Sequence, residues 1–148
     1  MKTLSQNLVD SLVAATLVLG LAGAYGCSGK VLPETVAVQG KLSHATGNVS
    51  DLAGHSLEIK LDSDPLVRAY GEIKPDGAFE LETLQGGSTL SGAVPGKYQA
   101  RIILSDDDAD SRRRAKQAVH ERFLEFETSG LTLQVPAAQP LVLAVSNQ

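Results

Sequence analysis

The sequence predicts an all-β fold, a sandwich of seven to eight short strands preceded by an N-terminal apolar helix. Three observations carry this. Apolar residues recur with period two in several short segments, the mark of strands with one buried face. Turn-forming Pro, Gly and Asp separate those segments. No long stripe of helical period interrupts them, and many short strands with frequent turns argue for a sandwich.

Taken in order, Val36, Val38 and Leu42 open the first strand. Leu57, Ile59 and Leu61 alternate with Glu58, Lys60 and Asp62, which places Glu58 and Lys60 on a wet face. Pro65 precedes a strand from Leu66 to Ile73. Pro75-Asp76-Gly77 is a turn, since Pro presets its own φ and Gly accepts a positive one. Phe79 and Leu81 then form one strand with Glu80 and Glu82 outward. The Gly/Ser-rich stretch from Gly86 to Gly92 reads as a connection. Val94-Pro95-Gly96-Lys97 has the pattern of a type II turn. Tyr98, Ala100, Ile102 and Leu104 define the clearest strand, internal to its sheet because Ile103 makes its second face partly apolar. A charged insertion follows, with a short helix expected from Ala115 to Glu125. The last strands are expected at Phe123–Phe126, Leu131–Val135 and Leu141–Val145, the final pair joined by Pro136 to Pro140.

The first 26 residues read as an export signal. Lys2 precedes an uncharged stretch, Leu12 to Gly26, whose length suits a signal-peptide core of about 7–15 residues and falls short of the roughly 20 needed to span a bilayer. The chain's single cysteine, Cys27, closes that stretch. An unpaired cysteine is a liability in an exported protein. The arrangement resembles a bacterial lipoprotein signal, in which the cysteine is lipidated and becomes the first mature residue. Two acyl chains already give lasting membrane attachment, at about 0.8 kcal/mol for each buried CH₂. Ala24 and Tyr25 depart from the usual pattern before such a cysteine, so cleavage without lipid, giving a soluble secreted module, stays open. The division expected is a signal at 1–26, a short tether at 27–34 and a β-sandwich at 35–148. Residues 28–34 reach at most about 25 Å, which keeps the domain close to the bilayer.

Composition narrows the functional classes. The net charge is −4, and the signal removes one lysine with one aspartate. A mildly acidic exported domain is a poor binder of nucleic acid. There is no tryptophan, and three phenylalanines supply the bulk of the core's aromatic volume.

Candidate sites are few. Asp106, Asp108 and Asp110 have the 1, 3, 5 spacing of a calcium loop, but Ser111 stands where that loop needs Gly and Gln117 where it needs Glu. Arg112, Arg113 and Arg114 follow at once as counter-charges, and with Lys116 they form a basic run able to touch anionic headgroups. His44, His55 and His120 share no metal-ligand spacing and read as surface residues. No nucleophile motif occurs and no cofactor motif either, so an enzyme is not expected. A sugar platform would need an exposed aromatic face. Tyr70 is the candidate, while Tyr98 reads as a corner or core tyrosine.

Val38-Gln39-Gly40, Asp76-Gly77-Ala78-Phe79-Glu80-Leu81 and Val94-Pro95-Gly96-Lys97-Tyr98, in this order, resemble the carboxypeptidase regulatory-like, transthyretin-like domains. Arg122-Phe123-Leu124 and Thr128-Ser129-Gly130-Leu131-Thr132 are similar to small lipoproteins of the planctomycete type. The resemblance implies a non-catalytic module for folding, spacing or docking, and the expected function is a structural or protein-interaction module whose partner is another envelope protein. Residues 43–56 are longer than the family pattern, leaving the pairing of the first two strands open. A ligand-binding module for envelope polysaccharide or calcium is the alternative reading.

Overall fold

In the computed structural model of the chain, residues 33–148 are described. The signal, Cys27 and most of the tether lie outside them. Among the described residues nine strands form two sheets. The smaller has the order β4-β1-β9, with β1 Gln39–His44, β4 Ala78–Glu80 and β9 Val142–Val145. The larger has the order β6-β5-β3-β2-β7-β8, with β2 Ser56–Leu61, β3 Arg68–Glu72, β5 Glu82–Gln85, β6 Ser88–Ser91, β7 Gly96–Ile103 and β8 Leu131–Val135. Its neighbours are all antiparallel, whereas β1 and β9 run parallel.

The core lies between the sheets, as the alternation predicts. Leu42, Phe79 and Leu143 face it from the smaller sheet, and Leu57, Ile59, Ala100, Ile102 and Leu133 from the larger. The first two strands do not pair. β1 belongs to the smaller sheet and β2 to the larger, and the long segment between them holds a 3-10 turn, Val49–Leu52, that buries Leu52. Val36 is held by a single bridge to Ala93 rather than by a continuous strand.

Four expectations need correction. The segment around Phe79 and Leu81 is not one strand: it leaves the smaller sheet after Glu80 and joins the larger at Glu82. Leu81 at the corner bonds Val38 O through its N–H and accepts from Gly92 N. The Gly86–Gly92 stretch is not a plain connection, because β6 folds back on β5 through Gly86 and Gly87, both at positive φ. A two-residue turn with two left-handed residues matches the twist of a hairpin. Val94-Pro95-Gly96-Lys97 is a bend, with Gly96 at φ 154° instead of the roughly +80° of a type II turn. Phe123–Phe126 is not a strand. Its backbone closes locally, Phe123 N onto His120 O, in a 3-10 turn Glu121–Leu124 followed by a single helical turn Phe126–Ser129. The slot beside β7 is filled by β8 instead.

The helix of the charged insertion starts earlier than predicted. It is α1, Ala109–Ala118, and Asp108 caps it by accepting from Asp110 N at 3.0 Å. That aspartate satisfies an orphan N–H and complements the helix dipole. α1 buries Ala115, and Val119 just beyond it joins the core.

Tyr98 is the corner that the spacing of Pro95, Gly96 and Tyr98 suggests. Its ring is 1% exposed and its hydroxyl donates to Val94 O at 2.7 Å, spanning the bend into β7. Burial pushes its pKa above the usual phenol value. Tyr98→Phe removes one satisfied buried hydrogen bond and leaves a carbonyl behind, so a loss of about 1 kcal/mol is expected from urea denaturation, with an unchanged slope.

Candidate functional site

The outer face of the larger sheet holds the densest chemistry among the described residues. Pairing places Glu58 of β2 opposite Tyr70 of β3 on one side and Arg101 of β7 on the other. Lys60 lies opposite Arg68. Strand alternation puts all five side chains on the face away from the core.

Glu58 is 1% exposed, which corrects its expected place on a wet surface. Arg68 donates through a terminal nitrogen to Oε1 at 2.8 Å and Arg101 through Nε to Oε2 at 2.6 Å. Burial works to raise the carboxyl's pKa, but the bonds from both guanidiniums and the charge of Arg101 outweigh it and hold Glu58 below the ordinary carboxylate range. The same contact raises Arg68. Above this layer lies Phe126. The Lys60 ammonium sits 4.4 Å from its ring centre, the Arg101 guanidinium 4.7 Å and the Arg68 guanidinium 5.6 Å. Phe126 thus roofs the ion pairs and takes no part in the main core, whereas Phe123 lies within it. The turn carrying Phe126 is latched to β7 by Ser129, whose hydroxyl donates to Ala100 O at 2.6 Å, and it ends at Gly130 in the left-handed conformation.

The charges close on themselves. Lys60 reaches Glu127 at 3.3 Å and Arg101 reaches Glu125 at 3.6 Å. Three cations face three carboxylates, so this layer braces the sheet and holds no surplus charge for a ligand.

Tyr70 is 38% exposed. It lines a shallow cleft of about 310 Å3 with Glu72, Lys74, Glu80 and Glu82. Burial raises its pKa, and the charge of Glu58 adds to that. Three carboxylates around one phenol make this cleft acidic.

The aspartates of the insertion do not converge. Asp108 caps α1, Asp106 pairs with Arg112, and Asp110 pairs with Arg113 at 3.1 Å. Among the described residues no three or more His, Cys, Asp or Glu side chains are grouped to hold a metal ion. The histidines are not simple surface residues. His55 is 1% exposed, accepting from Ser105 N at Nδ1, 3.0 Å, with Ser111 Oγ 3.5 Å from Nε2. His44 accepts from Gly47 N at 2.6 Å and lies 2.5 Å from Ala118 O, a pattern that fixes Nε2 as its protonated nitrogen. His120 alone is exposed, and it caps the 3-10 turn after α1. Sequence reasoning missed Glu58, Arg68, Arg101 and Phe126 as one cluster. The available signal was two arginines and a glutamate at outward positions of three neighbouring strands.

No family model, no curated protein and no solved structure matches the chain.

Glu58→Gln removes the charge that both arginines face. A loss of about 2–3 kcal/mol is expected, below the full cost of breaking a buried pair because both arginines are partly solvated. The lowered carboxyl makes its contribution above its unfolded pKa of about 4.3 and loses it as pH falls through the folded value. Thermal melts from pH 7 to 2 should therefore show a shallower acid limb in Glu58→Gln than in the parent.

Proposed function

We infer that this protein is a lipid-anchored, non-catalytic β-sandwich of the cell envelope that docks another envelope protein through its β5–β6 hairpin. The observation that carries the docking surface is the edge strand β6. None of its four residues, Ser88-Thr89-Leu90-Ser91, is buried, and it has no lysine, proline or other charge. Natural edges are usually blunted by such residues because a bare one invites a further strand. The opposite edge, β8, buries Leu131, Leu133 and Val135. In a two-residue hairpin the residues flanking the turn, Gln85 and Ser88, bond each other, so the backbone groups of Thr89 point away from β5.

Two further features support this surface. Leu84 of β5 is 66% exposed. Gln85 Oε1 is the one buried side-chain polar atom without a partner among the described residues, a local deficit that a docked chain would relieve. Added-strand recognition uses such main-chain bonds for affinity and alternate side-chain pockets for selectivity.

The anchor rests on Cys27 and the apolar stretch before it. Among the described residues no helix is long and apolar enough to cross a membrane. Thr35 Oγ1 donates to Ser91 O at 2.8 Å, so the tether joins the domain beside the root of the hairpin. A short tether then keeps the hairpin within reach of membrane-held partners. The family reading belongs to the same proposal. Its D-G-x-F-x-L segment supplies a left-handed glycine, Gly77, and the core residue Phe79, and its P-G-x-Y segment supplies the Tyr98 corner.

Mass spectrometry of the mature N-terminal peptide from host membranes should show an acylated peptide beginning at Cys27; an unmodified N-terminus elsewhere refutes the anchor. A photocrosslinker at Ser88, exposed at the start of β6, should trap one recurrent membrane protein, and Thr89→Pro together with Leu84→Glu in the same probe-bearing chain should abolish that adduct while the thermal midpoint stays near the parent's. An adduct that persists in the double variant removes the hairpin as the docking edge.

A further inference from the structure

A second surface lies where the segment after β1 meets α1, apart from the hairpin and from the ion-pair layer. His44, Gly47, Asn48, Asp51, Arg114, Gln117 and Asn147 line a cleft of about 250 Å3 there. That is under the roughly 300–1,000 Å3 of pockets for drug-sized ligands, and suits one small ring.

The walls of the cleft are fixed. His44 ties the loop to α1 through Ala118 O and accepts from the N–H groups of both Thr46 and Gly47. Gly47 lies so close under that ring that a β-carbon would come within 2.7 Å of it. Asn48 holds the 3-10 turn through its side-chain oxygen, which accepts from Ser50 N at 3.1 Å. Asn147 accepts from Thr46 Oγ1 at 3.1 Å, and the C-terminal chain is held by His120 N donating to Ser146 O. These contacts occupy the oxygens of both asparagines and leave their amide N–H groups over.

The charged members are not consumed. Arg112 and Arg113 each have a carboxylate, but Arg114 makes no ion pair among the described residues, and neither does Asp51. An arginine and an aspartate that share one cleft without meeting leave a gap that a ligand with both acceptor and donor groups can bridge. Guanidinium forks bind carboxylates in two parallel bonds, while carboxylate and amide side chains match adjacent hydroxyls. The rigid wall lowers the ordering cost of such binding.

We propose that this cleft binds a hexuronic acid, a pyranose carrying a carboxylate, with Arg114 on the carboxylate, Asp51 accepting from ring hydroxyls, and Gln117 with the asparagine amides completing the set. The acidic cleft at Tyr70 repels the same ligand, so the two surfaces differ in the sugars they admit. The proposal is independent of the hairpin and of the anchor.

The test is an amide-shift NMR titration of the full chain in detergent with D-galacturonate, D-galactose and glycine as probes. Galacturonate should give saturable shifts confined to the loop after β1, the end of α1 and Asn147. Arg114→Gln should weaken it about tenfold, the effect of losing one charged hydrogen-bonding partner. Arg113→Gln, on the same helix but paired elsewhere, should leave it unchanged. Galactose binding as tightly as galacturonate overturns the role of Arg114. Glycine displacing the sugar makes this a zwitterion site and overturns the proposal, as does the absence of any saturable shift.

Discussion

Glu58 sets a formal negative charge, 1% exposed, in the middle of a six-stranded sheet whose other face is already committed to the core. The three-stranded sheet covers only one side, so the outer face has to find its own cover. It does so with arginines from both flanking strands and one phenylalanine from outside the sheet. An unpaired buried carboxylate would be expensive, and the two guanidiniums make its burial tolerable only in this register. A slip of one residue between β2 and β7 would turn Glu58 into the core and Ile59 outward. The charge cluster therefore fixes the pairing register as well as contributing to stability. It also reaches along the chain: the roof residue Phe126 and the latch residue Ser129 belong to one turn, and that turn feeds directly into β8.

The long loop after β1 and the charged insertion after β7 look unrelated in sequence, one a stretch of small and polar residues and the other a run of aspartates and arginines. They form one cap on the sandwich. Leu52 from the loop, Ala115 from α1 and Val119 just after it are buried in the same core. The histidines explain why both segments are needed. His44 bonds from the end of β1 to α1, and His55 bonds from the start of β2 to the segment leading into α1. Neither role follows from spacing along the chain, since the partners are 74 and 50 residues away.

What the sequence made legible is the part governed by alternation against water. β2, β7, β8 and β9 sit close to where their apolar residues place them, and Tyr98 takes the corner its spacing suggests. β6 was hidden for the opposite reason: a strand exposed on both faces needs no apolar alternation, so Ser-Thr-Leu-Ser looks like a loop. Phe126 was misplaced because a large aromatic was assumed to seek the aliphatic core, and here it seeks cations. Glu58 was misplaced because alternation distinguishes two faces of a sheet but not a solvated face from a neutralised one. The aspartates shared a spacing with a calcium loop, yet helix capping and two arginines used them one by one.

The two surfaces proposed for other molecules follow from the same division. β3 runs between them: its end at Glu72 lies toward the loop-and-helix cap, since Gly54 N bonds Ile73 O, and its start at Arg68 lies toward the tip of the β5–β6 hairpin. At the cap, polar side chains are fixed by hydrogen bonds and a few charged ones are left over, the arrangement that suits a small polar ligand. At the hairpin, side chains make few demands and the backbone is left over, the arrangement that suits another strand. A single small sandwich can serve both because the braced face of the larger sheet keeps β2, β3 and β7 in register between the two ends.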